Sequence, residues 1–230
     1  IKNWDEFGAP FRIYGIDLTF PFFANEDVDL RVYGDYVKIV NFNDGFIFGA
    51  RTMFKMGESL LDLRLERSLF KNGFLPSYYN SFYERDRYDT QADTGDYITK
   101  ATLLNDTTSG DGNGFKFGGF ASFDQVVQAS LTYMHLDNLS GLDWFDLYLN
   151  FPEMWYGFTG SIQYSRKNIE GIDDAFAIDE RSQLQARISI PVFAGLYGSV
   201  IARYSFDRNE QGQLVTQSMY EPKVDYIFRW

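Results

Sequence analysis

The chain has a single histidine, His135, and it is the first residue to consider for acid–base chemistry. It lies in the stretch YMHLDNLSG, close to Asp137 and Ser140. A serine hydrolase needs its nucleophile and its base within hydrogen-bonding reach, and the spacing to Ser140 does not favour that arrangement. An Asp–His pair that activates water is the other chemistry these residues allow.

The remaining candidates for chemistry are weaker. The stretch NDTTSGDGNG places Asp106 and Asp111 among glycines, which suggests a loop cation site, but it lacks the ligand spacing and the bidentate glutamate of a calcium loop. The sequence has no cysteine, no phosphate-binding loop, no histidine cluster and no nucleotide fingerprint. We therefore expect no metal, no cofactor and no enzyme activity.

Composition narrows the class of protein. The 230 residues carry a formal net charge of −11, which argues against nucleic acid as a partner. No run approaches the about 18 apolar residues of a membrane helix. The unusual quantity is the aromatic content, with 23 Phe, 16 Tyr and 4 Trp. Membrane-spanning strands alternate lipid-facing and lumen-facing residues, so their mean hydropathy resembles that of a soluble protein.

Apolar residues recur at every second position along most of the chain, which predicts strands rather than helices. The final stretch aligns Val224, Tyr226, Phe228 and Trp230, and the stretch GLYGSVIARYSF aligns its apolar residues in the same way. Near Gly34 the alternation of LRVYGDYVKI changes phase, which predicts a β-bulge. Arg31 falls in the polar phase of this stretch, but such a bulge would affect its assignment. The strands are about ten residues long, the length needed to cross a bilayer at a tilt.

The links between these strands alternate in length. Short links near 122–125, 151–157 and 192–196 alternate with longer polar links at 136–143, 167–181 and 207–217. This alternation is typical of an outer-membrane barrel. We predict an all-β, transmembrane, antiparallel up-and-down β-barrel of about 12 strands, with 12–14 allowed because 67–104 holds one strand or two. Residues 1–10 form a tail or lumen insert, and 11–230 form the barrel.

The end of the chain resembles the C-terminal β-signal of Gram-negative outer-membrane proteins. Tyr220, Tyr226, Phe228 and Trp230 match its pattern of an upstream aromatic, alternating hydrophobics and a terminal Phe or Trp. The resemblance implies the cell outer membrane, contact with its lipid, and recognition of this strand by the outer-membrane assembly machinery. Pro222 departs from the pattern, and we expect it at the beginning of a strand or at a bulge.

The stretch around His135 is similar to the His-x-Ser-Asn-Gly stretch of outer-membrane phospholipase A and lipid A deacylase. In those families the histidine is the base and the serine two residues later is the nucleophile, whereas this chain has Asp137 there. We therefore expect His135 to lie at the rim of the barrel, and an outer-membrane hydrolase using His135 is the minor alternative.

The polar phase of the strands is predicted to face the lumen, with a mixed and slightly basic character. The leading expectation is a narrow passive pore for small polar solutes or ions. The first alternative is a membrane-anchor or translocation barrel of a larger protein, of the autotransporter, patatin-like or assembly-factor type. The second is a structural or adhesive barrel that binds a partner protein through acidic extracellular loops. The predicted lumen residues are Asp17, Arg51, Lys55, Asp62, Arg64, Glu66, Lys116, Asp146, Arg187, Arg203, Glu221, Lys223, Asp225 and Arg229.

Overall fold

A computed structural model of the chain describes most of the predicted strands. The described residues are 12–40, 44–71, 88–90, 97–99, 111–124, 126–137, 143–152, 155–193, 195–209 and 211–226. Within them the chain is all-β, apart from two single turns of 3₁₀ helix at Trp155–Gly157 and Ile172–Asp174.

Eleven antiparallel strands form one sheet in which each strand pairs with its neighbours along the chain, and β4 pairs with β7. The two short strands β5 and β6 form a separate hairpin. The strands are β1 (Ile13–Ala24), β2 (Val28–Ile39), β3 (Asp44–Met56), β4 (Ser59–Phe70), β5 (Tyr88–Thr90), β6 (Tyr97–Thr99), β7 (Gly112–Phe123), β8 (Val127–Asp137), β9 (Trp144–Phe151), β10 (Thr159–Lys167), β11 (Ser182–Phe193), β12 (Leu196–Arg208) and β13 (Leu214–Tyr226).

The predicted up-and-down order is confirmed, but the predicted count of 12–14 strands is not matched, because the described sheet has eleven. The difference lies between β4 and β7, where the described residues contribute only the separate hairpin. The strands β1 and β13 are the two edges of the sheet, and nothing pairs them among the described residues. Since eleven is odd, these two edges run in the same direction.

The links at the two ends of the sheet differ in length, as predicted. At one end, which we call the turn end, the links have two to seven residues. At the other end, the loop end, the links have four to fourteen residues, apart from the long link 71–111. Two of the turn-end links have only two residues. In one of them, Gly57–Glu58, Gly57 adopts φ 64°, a backbone conformation that favours glycine.

The pairing registers divide the side chains of the sheet between two faces. Paired residues of antiparallel strands point to the same side, and Ile16 pairs with Tyr36, which pairs with Phe46, which pairs with Leu69. We call this side the apolar face. The opposite side, which carries Asp17, is the polar face.

The bulge predicted at Gly34 is wrong. Gly34 pairs without a register shift with both Leu18 and Phe48. The shifts occur instead just after two prolines, between Pro21 and Phe23 and between Pro191 and Phe193. Proline lacks the N–H group that a ladder requires, which explains why the ladder is interrupted there.

Pro222 was expected at the beginning of a strand or at a bulge, and this expectation is also wrong. It lies inside β13, where it pairs with Val200 in an uninterrupted register. Because β13 is an edge strand, one of its sides has no neighbour, and a missing N–H on that side costs no ladder hydrogen bond.

A cluster of apolar side chains lies on the polar face at the loop end. Phe70, Met134 and Leu136 are buried, and Val37 and Trp144 pack against them. We call these five residues the apolar collar. Gly114 on β7 makes room for the collar, because a Cβ atom there would lie 2.6 Å from Leu136 Cδ2. Trp144 therefore lies on the polar face, as part of the collar.

Candidate functional site: the polar face of the sheet

The predicted lumen residues lie together on the polar face. By register, all of them that the structure describes share this face, from Asp17 in β1 to Asp225 in β13. Arg229 lies outside the described residues. Arg31, whose side was less certain, also belongs to the polar face, because it pairs with Arg51. That this face lines a lumen remains a prediction.

Sequence reasoning missed four charged residues of the same face: Asp29, Asp35, Lys167 and Asp207. With these four and Arg31 added, the described strands carry nine cationic and nine anionic side chains on the polar face. The expectation of a slightly basic face is therefore wrong for the described strands. Asp29 and Asp35 were missed because the supposed phase change at Gly34 obscured an alternation that runs unbroken through β2.

The first charged group on this face spans β2, β3, β4 and β7. Arg51 Nε donates to Asp62 Oδ1 at 2.9 Å, and Arg31 makes an equivalent bond to Asp29 at 2.9 Å. Glu66 is 6% exposed and accepts a 2.6 Å hydrogen bond from the hydroxyl of Tyr33. Each of these carboxylates is thus held by a neighbouring donor.

The second charged group spans β11, β12 and β13. Arg187 bonds Asp225, and Lys223 Nζ lies 3.0 Å from Asp225 Oδ1. Arg203 donates to Glu221 at 2.7 Å and to Gln185 at 2.8 Å. This group lies at the far edge of the sheet from the first.

The strands between the two groups carry mostly amides and hydroxyls on the polar face. β8 contributes no charged side chain to it, and Asp146 of β9 accepts a hydrogen bond from Ser165. A small cavity between β10 and β11 is lined by Gln163, Ser165, Gln183 and Gln185. The charged side chains are therefore concentrated toward the two edges of the sheet.

His135 lies on the apolar face, near the loop end of β8, where it pairs with Phe115. Its Nδ1 lies 2.9 Å from Asp143 Oδ2, and its Nε2 lies 3.2 Å from Asp137 Oδ1. The partner Asp143 was not singled out from the sequence. Both ring nitrogens thus face carboxylates, and Ser140, the only serine considered as a nucleophile, lies outside the described residues.

The link 168–181 is held by a second cluster of charges. Arg166, whose side chain is fully buried, donates to Asp174 at 2.6 Å and to Asp179 at 2.7 Å. Burial alone would raise the pKa of Asp179, but hydrogen bonds from Arg166 and Arg181 lower it to about 2. These carboxylates therefore stay ionised over the physiological range and hold the link in place.

The loop cation site that the sequence suggested is only partly covered by the described residues. No group of three or more His, Asp or Glu side chains within them could hold a metal ion. Asp106, half of the suggested loop cation site, lies outside them, and Asp111 begins the described segment before β7.

The β-signal residues are only partly described. Tyr220 and Tyr226 share the apolar face of β13, whereas Phe228 and Trp230 lie outside the described residues. Their role in assembly remains a prediction.

No family model, no curated protein and no solved structure matches this chain. Among the described residues, no helix is long and apolar enough to cross a membrane.

Proposed function

We propose that this chain is an integral outer-membrane β-barrel that forms a narrow passive pore for small polar solutes. The observation that carries the proposal is the separation of the two faces. Large apolar side chains are exposed on one face, among them Ile16 at 63% and Phe20 at 62%, while ion pairs cover the other. A protein in water would place these faces the other way round.

The distribution of charge on the apolar face supports a membrane. Its charged and histidine side chains all lie within four residues of the loop end of their strands. They are Lys38, Asp44, Arg67, His135, Asp137, Arg166 and Arg208. The rest of each strand presents only uncharged side chains on this face. A band without charge, bounded at one end by polar groups, fits a bilayer with its headgroup region at the loop end.

The polar face supports a narrow passage rather than a wide one. The described strands carry cationic and anionic side chains in equal numbers on this face, so we propose no strong preference for anions or cations. The apolar collar lies at the loop end of this face and reduces the space available to water there.

The test combines two measurements on the refolded protein. Since the chain has no cysteine, single substitutions give clean labelling sites. In lipid vesicles, Ser130→Cys on the polar face should react with a membrane-impermeant maleimide, whereas Leu131→Cys on the apolar face should not. In a planar bilayer the protein should give steady single-channel openings. Equal labelling of both sites would reject the membrane orientation, and a folded but silent protein would reject the pore.

A second candidate is a membrane-anchor or translocation barrel within a larger protein, and the observation behind it is the odd number of strands in the described sheet. Since β1 and β13 run in the same direction, antiparallel closure needs a further strand between them. Residues outside the described ranges, or another segment of a larger protein, would supply it. An immunoblot of the native membrane tests this candidate, which predicts a band well above the 26.7 kDa of this chain.

A further inference from the structure

Three arginines lie side by side in one row across the polar face. Arg31 pairs with Arg51, and Arg51 pairs with Arg64. We call these three residues the arginine row. Side chains directly opposite each other on neighbouring strands are close, and like charges in such positions repel unless something neutralises them. The arrangement therefore calls for anions on or beside the row.

Two of the three arginines are neutralised by the protein itself. Arg31 makes a two-pronged bond to Asp29, and Arg51 makes one to Asp62. Arg64 differs from both. It donates no hydrogen bond to any described residue, and the nearest carboxylate oxygen among those residues, Glu66 Oε1, is 3.6 Å away.

Glu66 cannot serve Arg64 as Asp29 and Asp62 serve their partners. Its carboxylate already accepts the hydroxyl of Tyr33 at 2.6 Å, and Lys116 Nζ lies 3.5 Å from its other oxygen. The remaining polar-face arginines, Arg187 and Arg203, each bond a carboxylate. Among the described arginines of this face, Arg64 alone donates no hydrogen bond to a described residue and has only the long 3.6 Å contact with Glu66.

Among the described residues, the side chain of Arg64 stays accessible to a small ligand. Its neighbour in the row on β7 is Gly118, which has no side chain, and a Cβ atom there would lie 3.6 Å from Arg64 Cβ. The side chain of Arg64 is 41% exposed. Along the strands, the part of the polar face between Lys55 and Lys116 carries five cations and three carboxylates. The cations are Arg31, Arg51, Lys55, Arg64 and Lys116, and the carboxylates are Asp29, Asp62 and Glu66. Asp17 and Asp35 lie beyond, toward the loop end.

We propose that the arginine row is a binding site for a small oxyanion, held by the guanidinium of Arg64 over Gly118. A planar guanidinium matches the two oxygens of a carboxylate or phosphate group, and chloride offers no such geometry. A role of this site in transport rests on the proposed pore, because only in a pore would the bound anion travel along the polar face. The binding itself does not depend on conduction.

The test is calorimetric titration of the refolded chain in detergent micelles with inorganic phosphate and, separately, with acetate, both against a chloride background. Arg64→Gln should weaken binding about tenfold, the loss of one charged hydrogen-bonding group. Arg203→Gln, which removes the same charge from the same face at the other edge, should change it less than about twofold. Arg64→Lys keeps the positive charge but loses the planar guanidinium. Its loss of affinity should therefore lie between those of Arg64→Gln and Arg203→Gln. Circular dichroism checks that each variant folds.

The outcomes separate the two proposals. Saturable binding that only the Arg64 variants weaken supports the site, and the anion that binds tells phosphate-type from carboxylate-type ligands. No binding by the wild type, or equal losses in Arg64→Gln and Arg203→Gln, overturns the site even if the protein conducts. Specific binding by a protein that gives no channel openings overturns the pore and leaves the site standing.

Discussion

The hydroxyl group of Tyr33 in β2 reaches across the whole of β3 to bond Glu66 in β4. The hydrogen bond is 2.6 Å long. This bond is possible because Gly49 of β3 lies between the two residues in the pairing register. The phenol ring passes directly over Gly49, where a Cβ atom would be 2.8 Å from Tyr33 Cζ. A glycine in a strand interior often marks such a close approach.

The first prediction concerns this glycine. Gly49→Ala should force the Tyr33 ring away from Glu66, because the new methyl group would also lie 2.7 Å from the carbonyl oxygen of Leu65. We expect a loss of about 1–3 kcal/mol in the free energy of unfolding, measured by urea titration in micelles. Gly15→Ala is the matched control, since its Cβ would meet only ordinary contacts. Equal effects of the two substitutions would contradict this account.

Regular strands were the part of this fold most readable from sequence. In β12, Leu196, Gly198, Val200 and Ala202 fall on the apolar face as the alternation predicted. The long, uniform alternation leaves no second register that would keep the same residues on the apolar face. The positions of the strands along the sequence also gave the lengths of the links between them, and hence the short links at one end of the sheet and the longer ones at the other.

The errors cluster where apolar residues belong to the polar face. Tyr33 and Val37 gave β2 an apparent change of phase. Their partners, Glu66 and Phe70, lie on strands two positions away in the sheet. A pattern within one strand carries no information about such contacts, so the apolar collar could not be predicted from it.

The second prediction concerns the carboxylate beside His135. Asp143 is 8% exposed and accepts a 2.6 Å hydrogen bond from the backbone N–H of Leu136. Asp143→Ala would leave that buried donor without its partner, so we expect a loss of about 1–3 kcal/mol in unfolding free energy. Asp137→Ala, at an exposed position, should cost less than about 1 kcal/mol. A larger effect at Asp137 would argue that the exposed ion pair is the important one.

The third prediction concerns pH and the link 168–181. The folded-state pKa of Asp179, about 2, lies below its usual value of about 3.9, so its ionisation favours the folded link. This contribution is complete above the unfolded pKa and is lost as the pH falls from about 4 to about 2. Amide hydrogen exchange in the link, corrected for intrinsic rates, should therefore accelerate over that interval.

Substitution checks the assignment of that acid transition to Asp179. In Asp179→Asn, the amide hydrogens of the link should exchange rapidly already at pH 7, because Arg166 and Arg181 both lose a partner. The same substitution should remove most of the acceleration of exchange at low pH. Asp173→Asn, an exposed carboxylate in the same link, should leave both unchanged. An unaltered acid transition in Asp179→Asn would assign it to another group.

The last prediction concerns the apolar collar and conduction. Phe70 is 3% exposed and packs with Met134 and Leu136 on the polar face at the loop end. If this cluster narrows the passage, Phe70→Ala should raise single-channel conductance, because removing the ring widens the passage and admits water. It should also lower the unfolding free energy by about 3–5 kcal/mol, as truncation of a buried phenylalanine usually does.

Leu65→Ala separates the two effects of that change. Leu65 lies on the apolar face of the same strand and is 59% exposed, so its truncation leaves the collar intact. We expect its conductance to equal that of the wild type. A rise in conductance only in Phe70→Ala assigns the constriction to the collar. Unchanged conductance in a folded Phe70→Ala variant would place the narrowest point of the passage elsewhere on the polar face, among the ion pairs of Arg51 and Arg187.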